Sequence, residues 1–179
     1  MGSADAGVGS SLPQGYAFRY EVRPEDREHV RRIVASTGFF NPAEVAVAVE
    51  LVHERLTRGP ASGYNFVFVE QCGQVLGYAC YGPIAGTAAS HDLYWIAVDN
   101  AARRQGLGQL LMAQSERLIG QAGGRRVYTE TSDREQYAPT RRFYDRAGYR
   151  LEAVLKDFYA PGDDKAIYVK VLTPCGPLS

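Results

Sequence analysis

The stretch from Leu93 to Gly124 most restricts the folds open to this chain, because three local signals follow one another directly. Leu93-Tyr94-Trp95-Ile96-Ala97-Val98 is an aromatic and β-branched run of the kind that forms a buried strand. Arg103-Arg104-Gln105-Gly106-Leu107-Gly108 is a glycine-bearing turn. Behind it, Leu107, Leu110, Leu111, Leu118 and Ile119 fall on one stripe of a helix that stops at Gly123-Gly124. A strand, a tight turn and a helix N-terminus gather unpaired backbone N–H groups and the positive end of a helix dipole around one point. Gly106 and Gly108 have no Cβ, so the main chain can come close to a phosphate there, and Arg103 and Arg104 add permanent positive charge. Alone, the glycine pair fits an ordinary strand-to-helix turn as well as an anion site. Two familiar phosphate motifs drop out, since neither a Gly-Lys-Ser/Thr ending nor a GxGxxG pattern is present.

The flanking sequence sets this unit in a larger pattern. Tyr16 to Arg23 alternates as a strand, and Pro24 opens a helix carrying Val30, Ile33 and Val34. Asn41, Pro42 and Glu44 occupy the N-cap, N1 and N3 positions of a second helix, with Val45, Val49, Val52 and Leu56 on one face and Gly59-Pro60 as its stop. Tyr64–Glu70 and Val75–Tyr81 read as strands joined by a hairpin turn at Gln71-Cys72-Gly73-Gln74. Gly82 to His91 reads as a Gly/Ala/Ser-rich loop of the kind that lines sites. After the central helix come a strand at Arg126–Thr131, a short helix at Ala138–Ala147 ended by Gly148, and a strand at Tyr149–Phe158. A turn at Pro161-Gly162-Asp163-Asp164 then leads into a last strand, Ala166–Leu172. The order β-α-α-β-β-β-α-β-α-β-β predicts an α/β chain with one mixed sheet and helices on both faces.

At 179 residues the chain suits one domain, expected over residues 15–173, with 1–14 a disordered leader or expression remnant and 174–179 a tail. Twenty Lys and Arg balance twenty Asp and Glu, which argues against nucleic acid or an acidic membrane as partner. Arginines nonetheless crowd residues 103 to 150, as a local site for one polyanionic small molecule would require; solvated helix faces account for some of them. Cys72, Cys80 and Cys175 make an odd count without metal-type spacing, so a reducing cytoplasm and no metal are expected. The opening segment has neither the apolar core of a signal peptide nor a myristoylation signal, and no run is long and apolar enough to cross a membrane.

Arg103-x-x-Gly106-x-Gly108 is similar to the (Gln/Arg)-x-x-Gly-x-(Gly/Ala) motif of the GNAT superfamily of acyl-CoA-dependent N-acetyltransferases, and it follows a strand ending Trp95-Ile96-Ala97-Val98-Asp99 as that motif does. A second block, Pro139-Thr140-Arg141-Arg142-Phe143-Tyr144-Asp145-Arg146-Ala147-Gly148-Tyr149, resembles the family's helix with a Tyr four residues before a Gly-aromatic pair. The resemblance spans about residues 16 to 172 and is densest from 92 to 150. It implies a GNAT fold with a central, mostly antiparallel sheet. It further implies acetyl-CoA as co-substrate, with its pyrophosphate on Arg103, Arg104, Gln105, Gly106, Leu107 and Gly108 and its pantetheine arm beside Ile96, Ala97 and Val98 where the strand at 93–98 splays from that at 126–131.

Within that frame Tyr144 matches the frequent general acid, and a phenol near pKa 10 can protonate a departing alkyl thiolate cheaply. Read without the family, Tyr144 is more readily a core aromatic on an amphipathic helix beside Phe143 than a catalytic group. A base is also needed, because an alkylammonium has no lone pair. Asp92 falls where several family members carry a Glu base, and by alternation it shares a face with Tyr94 and Ile96; it also fits a solvated strand start, with His91 and Glu130 as reserves. Where the family often has Asn, seven residues before the acid Tyr, this chain has Tyr137, so Thr140 and Arg141 are the expected substitutes for its cofactor contacts. The acceptor implied is a small-molecule amine or amino acid, in a pocket shaped by Gly82–His91 and the helices before residue 60. Rival readings are a non-catalytic acyl-CoA-binding or sensor domain, a peptide N-terminal acetyltransferase and a nucleotide-phosphate-binding α/β protein. A homodimer is allowed.

Overall fold

The computed structural model describes residues 12–173. The expected leader falls outside the described residues except for its last three positions, and the expected tail falls wholly outside them. The elements run β1 (Tyr16–Arg19), α1 (Asp26–Ser36), α2 (Pro42–Arg58), β2 (Asn65–Gln71), β3 (Gln74–Pro83), β4 (Ser90–Val98), α3 (Leu107–Gln121), β5 (Arg126–Ser132), α4 (Ala138–Arg146), β6 (Arg150–Ala160) and β7 (Asp163–Val171), in the order expected from the pattern.

Local chemistry sets several of these bounds. Asn41 starts α2 through a full capping box: its Oδ1 accepts from the Ala43 and Glu44 N–H groups at 2.9 and 3.0 Å, and Glu44 Oε2 accepts from the Asn41 N–H at 2.8 Å. β1 is shorter than its alternation suggests, because Arg19 turns into a bidentate pair with the buried Asp26 (2.8 and 2.7 Å) while its Nε donates to Glu70 at 2.6 Å. Burial opposes that carboxylate, but the Arg19, Arg23 and His29 contacts outweigh it and hold Asp26 below the usual range.

The strands form one seven-stranded sheet in the order β1-β2-β3-β4-β5-β7-β6, antiparallel except between β4 and β5. One face packs on α3 and α4 through Leu107, Leu111, Met112, Ile119 and Tyr144. The other packs on α1 and α2 through Val30, Ile33, Val34, Val45, Ala48 and Val52. Burying both faces explains the near-continuous apolar runs of β2 and β3, which alternation alone would have left half polar.

Two features of β4 position the site. It pairs with β5 only over Ser90–Asp92 against Arg126–Tyr128, after which the two strands part. It also carries a bulge: Tyr81 pairs with Leu93 and Cys80 with Trp95, so Tyr94 is an extra residue. Leu93 therefore lies in the same core as Ile96 and Val98, while Trp95 and Ala97 face α1 and α2.

Candidate active site

The parting of β4 and β5 opens a wedge in the sheet. Ile96, Ala97 and Val98 pair with Ala79, Tyr78 and Gly77 of β3 along one edge, and their other edge has no strand beside it. A cavity of about 700 Å³ occupies the wedge. Its wall takes Leu93–Val98 from β4, Thr129–Ser132 from β5, Tyr144 from α4, Thr37 and Phe39–Asn41 with Glu44 and Val47 from the α1–α2 side, and Tyr159, Ala160 and Asp163 from the β6–β7 hairpin.

The glycine turn lies where β4 leads into α3. Gly106 is the residue before the helix and has φ +77°, a left-handed conformation that glycine adopts without strain. No side chain caps α3, so its first-turn N–H groups are left for an external acceptor. Gly108 serves a different end from the one expected: a Cβ there would meet the Phe143 ring at 3.3 Å, so its small size lets α3 pack on α4. Arg104 is exposed with φ +64°, and Gln105 accepts a hydrogen bond from the Tyr16 hydroxyl. Arg103 reaches back to the α1–α2 loop, donating to the Thr37 carbonyl at 3.4 Å with its guanidinium 5.3 Å from the Phe39 ring centre. Leu107 is in the core and contributes to any anion site through its backbone alone.

On the opposite flank, Tyr144 is 5% exposed and packs its ring against Phe143, Tyr149 and Tyr168, yet it still borders the cavity. Its ring belongs to the core, and the residue is also part of the cavity wall. Burial raises its phenol pKa; a hydrogen bond with Thr129 works against that and does not reverse it. Thr140 lines the cavity. Arg141 does not, because its guanidinium is engaged with the Ser132 and Arg134 carbonyls at 3.1 and 2.9 Å, bracing the β5–α4 connection. Tyr137, in the place of the usual Asn, is a wall residue paired with Phe39 at 6.2 Å between ring centres.

Asp92 requires a correction. The bulge at Tyr94 reverses the phase of β4, so Asp92 stands opposite to Leu93 and Ile96, on the face of Trp95 and Ala97. It lies in the last paired step of β4 and β5, beside Tyr128, and is not in the cavity wall; Glu130, two residues along β5, is. Burial first, and then the neighbouring Glu130, raise the Asp92 pKa, with Lys165 opposing. Lys165 is ion-paired with Glu130.

The pocket-forming segment also differs from expectation. Gly82–His91 contributes nothing to the cavity, because β3 runs on to Pro83 and β4 begins at Ser90. What remains is a short hairpin tip bonded to Arg125 and Arg126 at the paired end of the wedge. The β6–β7 hairpin takes its place. Sequence reasoning also missed the aromatic lining: Phe40 with Trp95 (5.0 Å between ring centres), Tyr94 with Tyr64 (5.3 Å), and Tyr159. Only the adjacent pair Phe39-Phe40 in a loop was a visible sign. Among the described residues no group of His, Cys, Asp and Glu is arranged to hold a metal.

Known proteins carry the same architecture. A family profile described as an acetyltransferase (GNAT) domain matches residues 62–151, the stretch that holds the wedge, the glycine turn and α4. A crystal structure assigned to the GNAT acetyltransferase family, from Desulfovibrio desulfuricans, is 51% identical and covers 88% of this chain and 99% of its own, with a TM-score of 0.87. Blasticidin-S acetyltransferase of Streptomyces morookaense is 40% identical over 106 residues, 53% of this chain and 73% of that protein. An aminoglycoside 6'-N-acetyltransferase complexed with coenzyme A shares the fold at a TM-score of 0.71 with 16% identity, covering 88% of this chain and 98% of its own. With the wedge, the turn and the α4 tyrosine all inside the matched region, and half the residues shared with a near-complete structural relative, this chain belongs to the GNAT family of acetyltransferases.

Proposed function

We propose that the protein transfers the acetyl group of acetyl-CoA to a primary amine of a small molecule, by direct attack in a ternary complex. The observation that carries this is the open edge of β4: it runs from the uncapped N-terminus of α3 along the cavity, with a buried phenol in the cavity wall. The cradle suits a pyrophosphate, since the first-turn N–H groups of α3 have no side-chain cap, Gly106 leaves the approach open, and the exposed Arg104 adds positive charge beside them. Arg103 joins them by leaving the Thr37 carbonyl. The pantetheine amides pair with the free edge of Ile96, Ala97 and Val98 as an added strand does, and one of those N–H groups polarises the thioester carbonyl. Tyr144 gives its proton to the departing thiolate. Asp92 removes the amine proton through an intervening water, or Glu130 does so from the cavity wall. Thr140 contacts the cofactor arm from α4; Arg141 supports that helix start from behind.

A small acceptor fits better than a peptide, because the cavity is walled on the far side by the β6–β7 hairpin. The 40% identical relative, whose name gives blasticidin S as its acceptor, supports the same class. Release of coenzyme A from acetyl-CoA that depends on an amine, in a panel of small primary amines, is the expected result; tight CoA binding with no release by any of them would instead support a non-catalytic binding domain.

Gly106→Val tests the cradle. A β-branched residue at φ +77° costs about 1–2 kcal/mol and turns the first N–H groups of α3 away from their common focus. Calorimetry is expected to show CoA affinity at least tenfold weaker, roughly the loss of one charge-assisted contact, in a variant that still folds. Unchanged affinity would remove the turn from the site. Gly108→Val is a poorer probe, because it pushes on Phe143 and so disturbs α4 as well.

A further inference from the structure

The charges in the cavity wall do not cancel evenly. Five charged side chains line it: Glu44, Glu130, Asp163, Arg103 and Arg134. Glu130 is paired with Lys165, and Asp163 with Arg134 at 3.0 Å. Two remain without an ionic partner among the described residues. One is Arg103, at the cradle end, where the anionic cofactor is proposed to lie. The other is Glu44, on the first turn of α2, whose Oε2 accepts only the Asn41 N–H. Across the cavity, burial first, then Glu130, Asp163, Tyr137 and last Glu44, push the Tyr159 phenol of the opposite hairpin up to about 12. With Glu130 and Asp163 neutralised by Lys165 and Arg134, Glu44 is the one carboxylate of the wall left without an ionic partner among the described residues. Aromatic side chains, Phe40, Trp95 and Tyr159, line the same cavity, and aromatic rings favour a cation over an anion or a neutral polar group.

From this we infer that the acceptor is a dication, with a second basic group, ammonium or guanidinium, held by Glu44 between α2 and the β6–β7 hairpin while its primary amine points into the β4–β5 wedge. The inference rests on the acetyl-transfer reading above for what happens to the first amine, but the binding of the second charge is separable from the chemistry. The net charge of the chain is zero, so discrimination has to come from this local arrangement. An amine with one charge leaves Glu44 without an ionic partner; a zwitterionic amino acid brings a second carboxylate toward it.

The chain has a single tryptophan, Trp95, and it lines the cavity, so its fluorescence reports occupancy without turnover. The probes are 4-(aminomethyl)benzylamine and its neutral-ended analogue 4-(aminomethyl)benzyl alcohol, titrated into the protein saturated with coenzyme A. The diamine is expected to bind about ten- to hundredfold more tightly, the range of a charge-assisted contact, and the preference should shrink as salt rises. Glu44→Gln keeps the oxygen that accepts from Asn41, since Gln also completes a capping box, and removes the charge. In that variant the preference should fall to near the twofold statistical factor for two equivalent amines. A preference near two in the original protein, or one that survives Glu44→Gln, overturns the inference. A clear preference with no coenzyme A released from acetyl-CoA leaves the dication site standing and overturns the acetyl-transfer reading instead.

Discussion

Replacing Tyr144 by Phe should lower kcat by about ten- to ten-thousand-fold while the affinity for acetyl-CoA stays nearly the same. The substitution is well isolated, because the ring contacts with Phe143, Tyr149 and Tyr168 are all kept and only the hydroxyl is lost. A proton donor that acts when the thiolate leaves contributes only in the transition state, so its removal appears in kcat and kcat/KM together and hardly in binding. The direction of the phenol's shift matters here. Burial raises its pKa, so Tyr144 stays protonated through the neutral range and no basic limb below about pH 10 should come from it. If Tyr144 were a core aromatic alone, Phe would cost roughly the 1 kcal/mol of one lost hydrogen bond in unfolding free energy and leave kcat unchanged. Steady-state coenzyme A release together with calorimetric CoA binding separates the two roles.

Asp92→Asn carries the second large effect. If Asp92 is the base, kcat falls about a hundred- to ten-thousand-fold, and the acidic limb of kcat/KM disappears. The limb belongs above the ordinary Asp value of about 3.9, since burial and Glu130 raise this pKa; activity is lost as pH falls through it and the carboxylate takes up a proton. Glu130→Gln supplies an internal check. Removing the like charge lowers the Asp92 pKa, so the limb should move to lower pH rather than vanish. A limb that vanishes in Glu130→Gln and persists in Asp92→Asn would transfer the base role to Glu130, which lies in the cavity wall where Asp92 does not. A limb that persists in Asp92→Asn with only KM raised would make Asp92 a group that positions the ammonium.

The elements of the fold were legible because each depends on neighbours within a few residues. The capping box at Asn41 and Glu44, the apolar stripe from Leu107 to Ile119 and the glycine stop after it are local patterns, and the structure reproduces them. Their order was enough for a mixed sheet with helices on both faces. The turn at Arg103–Gly108 was readable for the same reason, since a helix start is specified by the residues that precede it.

The side of the sheet on which Asp92 stands was not legible, because the bulge at Tyr94 exists only as a mismatch between two strands, and one of them says nothing about it alone. The separate tasks of Gly106 and Gly108 were hidden likewise. One is set by its own φ, the other by Phe143, which is far along the chain. Arg103 and Arg141 looked alike as loose cations near a phosphate site, yet backbone carbonyls brought close by folding hold one against the α1–α2 loop and the other behind β5.

Sequence by itself therefore determined the elements, their order, and the motif by which the family shows itself, because these rest on short-range periodicity and turn chemistry. Tertiary structure alone decided the acceptor cavity. Its wall joins Phe40 and Glu44 of the α1–α2 side to Trp95, Glu130 and Tyr159 from three strands. Which charges there are neutralised, and which is left to meet a substrate, depends on partners such as Lys165 and Arg134 that become neighbours only when β5, β6 and β7 come together.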